Sequence, residues 1–270
     1  MKEPSLFSQC VAEFFGVGLF LFLGPCVVLA WSIAGADMDW WGICITWGFA
    51  ITLAVFLTAG ISGGHLNPAV TVALWLFGNF PANKVLPYSL AQIAGGAFGA
   101  FMAYVVYQGL ILDFESTHNM VRGSVESLSL AGAWTTYAHP LVSTGAAFLV
   151  ETVLTATLVG LIFALTDDGN GVPKGPMAPI LIGILVAVIG AACGPLTGFA
   201  MNPARDFGPK IFLFFAGWGE TAFTGGRDIP YFLVPFFAPL LGGIIGGLGY
   251  RFFITKNLPT PAAEQKEAIE

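Results

Sequence analysis

Two short stretches carry residues whose types and spacing suggest a chemical task. Asn67-Pro68-Ala69 lies within Ser62-Gly63-Gly64-His65-Leu66-Asn67-Pro68-Ala69-Val70-Thr71, and Asn202-Pro203-Ala204 lies within Thr197-Gly198-Phe199-Ala200-Met201-Asn202-Pro203-Ala204-Arg205-Asp206. In each, a glycine-containing approach leads to Asn, then Pro, then an apolar run. Asn is a favoured helix N-cap, and Pro is tolerated at the first helical position because its missing N–H is not needed there. Two carboxylates, Glu13 and Glu151, precede the two asparagines by 54 and 51 residues. An amide side chain at a helix start can donate hydrogen bonds and favours a neutral or anionic guest. A carboxylate in apolar surroundings can carry a proton or accept hydrogen bonds.

The elements that must hold these groups follow from composition. The chain has 270 residues, of which 56% are hydrophobic and 10% charged, against about 25% charged in ordinary soluble domains. No charge occurs from Trp40 to Asn83, Val85 to Leu112, Gly175 to Ala204 or Ile229 to Tyr250. Neutral runs of this length mean exposure to lipid. The net charge of -6 resides mostly in connecting loops and the tail, and no basic stripe supports nucleic-acid binding. Cys10, Cys26, Cys44 and Cys193 lack paired spacing and read as small buried hydrophobes.

Six spans are predicted, over about Leu6–Ala34, Trp41–Ala59, Val85–Leu112, Gly145–Leu165, Ala178–Gly194 and Ile229–Phe253. The first is too long for a signal-peptide core. The segments after Asn67 (to near Phe80) and after Asn202 (to near Trp218) are shorter. A dozen residues reach roughly 18 Å, a little over half of the ~30 Å hydrocarbon core. Re-entrant half-helices are the consistent reading. The fold class is therefore an all-α membrane protein, with six transmembrane helices plus two re-entrant half-helices. Each half has three spans, an odd number, so the second half must enter the membrane upside down. This is an inverted-topology repeat. Residues 1–254 form one channel domain, with repeat one over about 6–112 and repeat two over about 145–254. Residues 255–270 form a polar cytoplasmic tail, expected to be disordered. Asp113–Thr144 is expected as a long polar loop. Gly95, Gly99, Gly242, Gly243, Gly246 and Gly247 are expected to let helix backbones approach closely.

Lysine and arginine counts place both termini in the cytoplasm. Lys2, Lys84, Lys174, Arg251, Lys256 and Lys266 then lie inside, while Arg122 and Arg227 lie outside with Arg205 and Lys210 on the second re-entrant segment.

Inverted repeats bring the two half-helix N-termini together near the midplane, each with roughly half a positive elementary charge. Asn67 and Asn202 add amide donors, so a cation or proton meets a barrier. The approaches Gly64–Leu66 and Gly198–Met201 would expose a line of carbonyls, with Gly64, His65, Leu66, Gly198, Phe199 and Ala200 as the acceptor track. An uncharged solute that both donates and accepts hydrogen bonds fits such a path.

The two Asn-Pro-Ala boxes, the two membrane glutamates and the six-plus-two layout resemble the aquaporin (major intrinsic protein) superfamily, in its aquaglyceroporin branch. The stretches 62–71, 194–209, 225–231 and 167–173 carry the resemblance, which covers nearly the whole chain except the tail. It implies a selectivity filter of Trp47, Gly190, Phe199 and Arg205. Glycine at 190 replaces the histidine of water-selective members, and Asp206 after the arginine marks the glycerol branch. Phe236 stands where many members have leucine, a mild departure. The resemblance also implies that Glu13 and Glu151 accept hydrogen bonds from re-entrant backbone N–H groups. It implies a homotetramer with one pore per subunit, in the bacterial inner membrane.

The expected function is a passive channel for glycerol and related small uncharged polyols, with some water permeation and exclusion of ions and protons. Besides its permeants, its partners are membrane lipid and copies of itself. A water-dominated channel fits Gly190 and Phe199 poorly. The alternative from another class is a proton-coupled carrier using Glu13 and Glu151. No catalytic motif, cofactor-binding pattern or metal-ligand spacing points to an enzyme. His65 lacks a partner ligand in spacing, which leaves it a pore-wall or packing role. Gly225–Asp228 has no mechanism on sequence grounds.

Overall fold

Short polar side chains start the helices. Ser5, Asp39 and Ser143 accept backbone N–H bonds from Ser8, Gly42 and Ala146 at 3.1, 2.7 and 3.2 Å, satisfying donors that a helix start leaves unpaired. The computed structural model describes residues 3–170 and 177–258. The long helices are α1 (Leu6–Ser32), α2 (Trp40–Ser62), α4 (Ala82–Thr117), α6 (Thr144–Thr166), α7 (Met177–Thr197) and α10 (Leu233–Gly249). Among the described residues six helices, the last counted with its continuation to Asn257, are long and apolar enough to cross a membrane. The half-helices are α3 (Pro68–Phe77) and α8 (Pro203–Leu213). Single turns α5 (Leu128–Ala131) and α9 (Thr221–Thr224) complete the set, and no strand occurs among the described residues.

The packing shows the repeat. In one half α1 lies against α4, and in the other α6 lies against α10. α2 and α7 meet across the centre. Each half-helix also seats on a long helix of the opposite half, α3 on α10 and α8 on α4. The glycines explain how closely these elements approach. A Cβ on Gly95 or Gly99 would collide with the Phe14 or Gly18 carbonyl of α1. One on Gly242 or Gly246 would collide with the Thr152 or Ala156 carbonyl of α6. Gly96 and Gly243, a further matched pair, receive the box carbonyls: their Cβ positions lie 2.7 Å from the Ala204 oxygen and 2.9 Å from the Ala69 oxygen.

Several expected boundaries shift. The third span is not Val85–Leu112 but α4, whose 36 residues reach about 54 Å. The extra turns stand beyond a hydrocarbon core, and Glu115 at their end pairs with Arg122 at 2.6 Å. The stretch after α4 is polar in sequence yet built as structure. It contains α5 and a fully buried Trp134, whose ring N–H donates to the Ala100 carbonyl at 3.1 Å. α3 stops at Phe77, short of Phe80, with Gly78 as its cap. α8 stops at Leu213, and a wider turn continues over Phe214–Trp218, broken by Gly217 at φ 108°. α10 begins at Leu233, four residues after the expected start, and its regular part ends at Gly249. The turn residues Val172, Pro173 and Lys174, the terminal Lys2, and the tail beyond Leu258 with Lys266 lie outside the described residues.

Candidate transport site

The two boxes face each other. Asn67 Oδ1 accepts from Ala69 N at 2.8 Å, and Asn202 Oδ1 accepts from Ala204 N at 2.9 Å and Arg205 N at 3.2 Å. Each side chain thus caps its own half-helix, with Pro68 and Pro203 at the first helical position. Each amide nitrogen also crosses to the other half: Asn67 Nδ2 donates to Met201 O, and Asn202 Nδ2 donates to Leu66 O, both at 2.8 Å. One N–H of each amide remains for a guest. Both asparagines border a narrow cavity of about 40 Å³ and a wider vestibule of about 400 Å³ on the His65 side. The narrow space is small, a few times the roughly 10–15 Å³ of cavity volume that a single water needs.

The approach loops are held open by their backbones. Leu66, Phe199 and Met201 have φ of 53°, 43° and 50°, an uncommon region for residues with a side chain. A buried carboxylate stands behind each loop. Glu13 accepts from His65 N at 2.9 Å and Leu66 N at 2.6 Å, and from Ser62 Oγ and Gln92 Nε2 at 2.6 and 2.7 Å. Glu151 accepts from Ala200 N at 3.0 Å, Met201 N at 2.8 Å and Thr197 Oγ1 at 2.6 Å. Backbone N–H groups that no helix satisfies are thereby paired with an acceptor. Neither glutamate borders either cavity.

The four residues assigned to a filter converge. Trp47 and Phe199 meet edge to face with ring centroids 6.4 Å apart. The Arg205 guanidinium lies 4.4 Å from the Trp47 ring centroid, and its Nη1 donates to the Trp134 carbonyl at 3.1 Å. Gly190 lies against the Phe199 ring, where a Cβ would stand 2.9 Å from Cε2. Trp47, Phe199, Ala200 and Arg205 border the narrow cavity, and Gly64, His65 and Leu66 border the vestibule. Of the proposed carbonyl track, Leu66 O already accepts from Asn202. Gly198 borders neither cavity, and its Cβ position lies 2.9 Å from the Thr136 side chain.

Other residues join the site without a sequence signal of comparable strength. Trp40 sits edge-on to Phe199 at 6.1 Å and donates its ring N–H to Gly190 O at 3.3 Å. Gln92 bridges Glu13 to Thr71 Oγ1, which it reaches at 3.1 Å. A glutamine in the neutral run 85–112 was the available hint. His65 packs against Phe80 and Tyr88, with centroids 4.5 and 5.1 Å apart, and its Nδ1 lies 3.2 Å from Thr71 Oγ1. Arg227 gives the 225–228 loop its mechanism. It donates to Val142 O at 2.8 Å and to Ala138 O and His139 O at 3.2 Å, tying that loop to the segment entering α6.

Comparison with known proteins agrees with this geometry. Residues 1–250 match the family described as "Major intrinsic protein". The chain is 62% identical to a propanediol uptake facilitator of Salmonella typhimurium, over 97% of this chain and 99% of that protein. It is 57% identical to a glycerol uptake facilitator protein of Escherichia coli, over 98% and 95%. Its fold matches the X-ray structure of the aquaglyceroporin from Plasmodium falciparum with a TM-score of 0.83, at 30% identity and 93% and 98% coverage. With six membrane-length helices, two facing half-helices and this match along nearly its whole length, the chain belongs to the major intrinsic protein family.

Proposed function

We propose that the chain is a passive channel for glycerol and related small uncharged solutes, with some water passing and ions and protons excluded. One observation carries this reading: beside the paired asparagines, the Trp47 and Phe199 rings and the Arg205 guanidinium converge on one narrow cavity. The rings present an apolar corner to a carbon backbone. The guanidinium and the asparagine amides donate to hydroxyl oxygens on the other side. Two half-helix N-termini and a guanidinium oppose cations. Gly190, whose Cβ position lies 2.9 Å from the Phe199 ring, leaves room for that ring. The relatives named for glycerol and propanediol uptake support the same solute class.

In this reading Trp47, Gly190, Phe199 and Arg205 form the selectivity filter, and Asn67 and Asn202 the central barrier to charge. The carbonyls from Gly64 and Gly198 onward form the acceptor track. Glu13 and Glu151 support the loops. Residues 1–254 act as one channel domain of two repeats, in a bacterial inner membrane with both termini cytoplasmic, as a homotetramer. Purified protein in lipid vesicles tests it by stopped-flow shrink–swell. Rapid re-swelling in glycerol, without saturation and indifferent to a proton gradient, is expected. Failure to re-swell defeats the reading, and collapse of uptake when the gradient is dissipated favours the carrier instead.

A further inference from the structure

Lys210 is fully buried and Asp206 nearly so, and they form an ion pair one helical turn apart, Nζ to Oδ1 at 2.5 Å. A buried ion pair is a weak source of stability, because desolvation offsets the attraction. What this pair does besides is grip one short segment. Asp206 Oδ2 accepts from Thr135 Oγ1 at 2.7 Å, Thr136 Oγ1 at 2.6 Å and Thr136 N at 2.9 Å. Lys210 Nζ donates to Thr135 Oγ1 at 2.7 Å and Thr136 O at 3.1 Å. The residue immediately before is Trp134, whose carbonyl accepts from Arg205 Nη1. The Trp134 ring is itself fixed, by Ala100 O on one side and Trp218 on another. The first half has no such device: four and eight residues after Asn67 stand Thr71 and Trp75.

We propose that Asp206 and Lys210 are positioning residues for selectivity. By clamping Thr135 and Thr136 they hold the Trp134 carbonyl against Arg205, and this fixes the guanidinium over Trp47 and sets the width of the constriction. The proposal rests on the reading of that constriction as the solute filter. Releasing the clamp frees Arg205 to swing, so a bulkier polyol gains more than glycerol does.

The test uses the full chain in vesicles, with water, glycerol and the four-carbon polyol erythritol as permeants. Thr135→Val with Thr136→Val removes the gripped hydroxyls and keeps the ion pair. Asp206→Asn with Lys210→Met removes both charges together, so neither is left buried alone. Both double variants are expected to raise the erythritol-to-glycerol permeability ratio about threefold or more, within the worth of a net hydrogen bond. Lys210→Arg, which keeps the charge, is expected to stay near the wild-type ratio. A ratio does not depend on how many channels fold, so a merely structural role lowers all fluxes in proportion. That result, or an unchanged ratio, overturns the clamp. If the charge-free variant does not fold, the valine variant decides. Wild-type vesicles that pass water but no glycerol overturn the proposed function and the clamp with it. Wild-type glycerol flux with unaltered variant ratios overturns the clamp alone.

Discussion

Gly190 and Phe199 compete for one volume: a Cβ built on Gly190 would stand 2.9 Å from Phe199 Cε2 and 3.0 Å from Cζ. The ring holds its place in the passage only because residue 190 has no side chain. Exchanging the two bulks, with Gly190→His and Phe199→Ala, removes the apolar corner and puts a polar group in its place. Glycerol permeability relative to water is expected to fall about tenfold or more, the order by which pocket contacts discriminate. Shrink–swell rates in the two solutes give the ratio. An unchanged value would show that these residues do not form the constriction.

Glu13 and Glu151 receive four and three hydrogen bonds from the re-entrant loops and their supports. Replacing either by Gln swaps an all-acceptor group for one that turns an N–H₂ towards donors. We expect a loss of about 2–4 kcal/mol, from one or two unsatisfied buried donors. It should be read as a lower thermal midpoint in detergent. Glycerol uptake per folded channel should stay independent of a proton gradient in either variant. Gradient-driven uptake in wild type that is lost in Glu13→Gln would instead make the carboxylate a proton carrier.

Asn202→Ala deletes a cap to Ala204 and Arg205 and the bond that crosses to Leu66. Loss of the cap alone costs about 1 kcal/mol. The crossing bond adds a comparable amount. Asn67→Ala loses a cap to Ala69 and the bond to Met201, so the two variants should be destabilised to similar degrees. Guanidine-induced or thermal unfolding in detergent compares them. A large effect in only one would mean that the halves do not share the junction.

The contact of α2 with α7 should tolerate added bulk as poorly as those of α1 with α4 and α6 with α10. A Cβ on Gly48 would run into the Gly183 carbonyl, and one on Gly183 into the Gly48 carbonyl and the Thr52 hydroxyl, which itself donates to Pro179 O at 3.0 Å. Backbone cannot yield as a flexible side chain can, so Gly183→Val is expected to abolish folded protein. Yield of monodisperse protein from membranes measures this. Gly109→Val is the control, because a Cβ there meets nothing within 4 Å.

The spans and half-helices were legible because their signals are local: neutral runs, segment length, and an Asn-Pro start. The proposed filter positions Trp47, Gly190, Phe199 and Arg205 rest on resemblance, since they lie on α2, α7, the second approach loop and α8 and no spacing rule connects them. What stayed hidden depended on distant partners. By sequence Lys210 reads as an outer-side charge, yet it is wholly buried against Asp206 and Thr135. The 113–144 stretch read as a polar loop, because Trp134 and Thr136 find their partners at Ala100, Gly198 and Asp206 rather than nearby. Arg227 had no visible task for the same reason: it binds three carbonyls some 85 to 89 residues earlier. The end of α4 was misplaced because Asp113 and Glu115 mark where apolar surroundings stop, while the helix simply continues into solvent.

The two carboxylate-braced loops are near copies, but the arginine, the phenylalanine and the buried ion pair belong to one of them. With the same carboxylate-braced frame in both halves, the residues around one loop can differ in what they admit while the frame stays the same. On the proposed filter, retuning the passage for another guest is a matter of editing Trp47, Gly190 and a short list of positions after Leu196 and around Trp134. The unedited loop supplies an internal reference against which any distortion of the frame can be recognised.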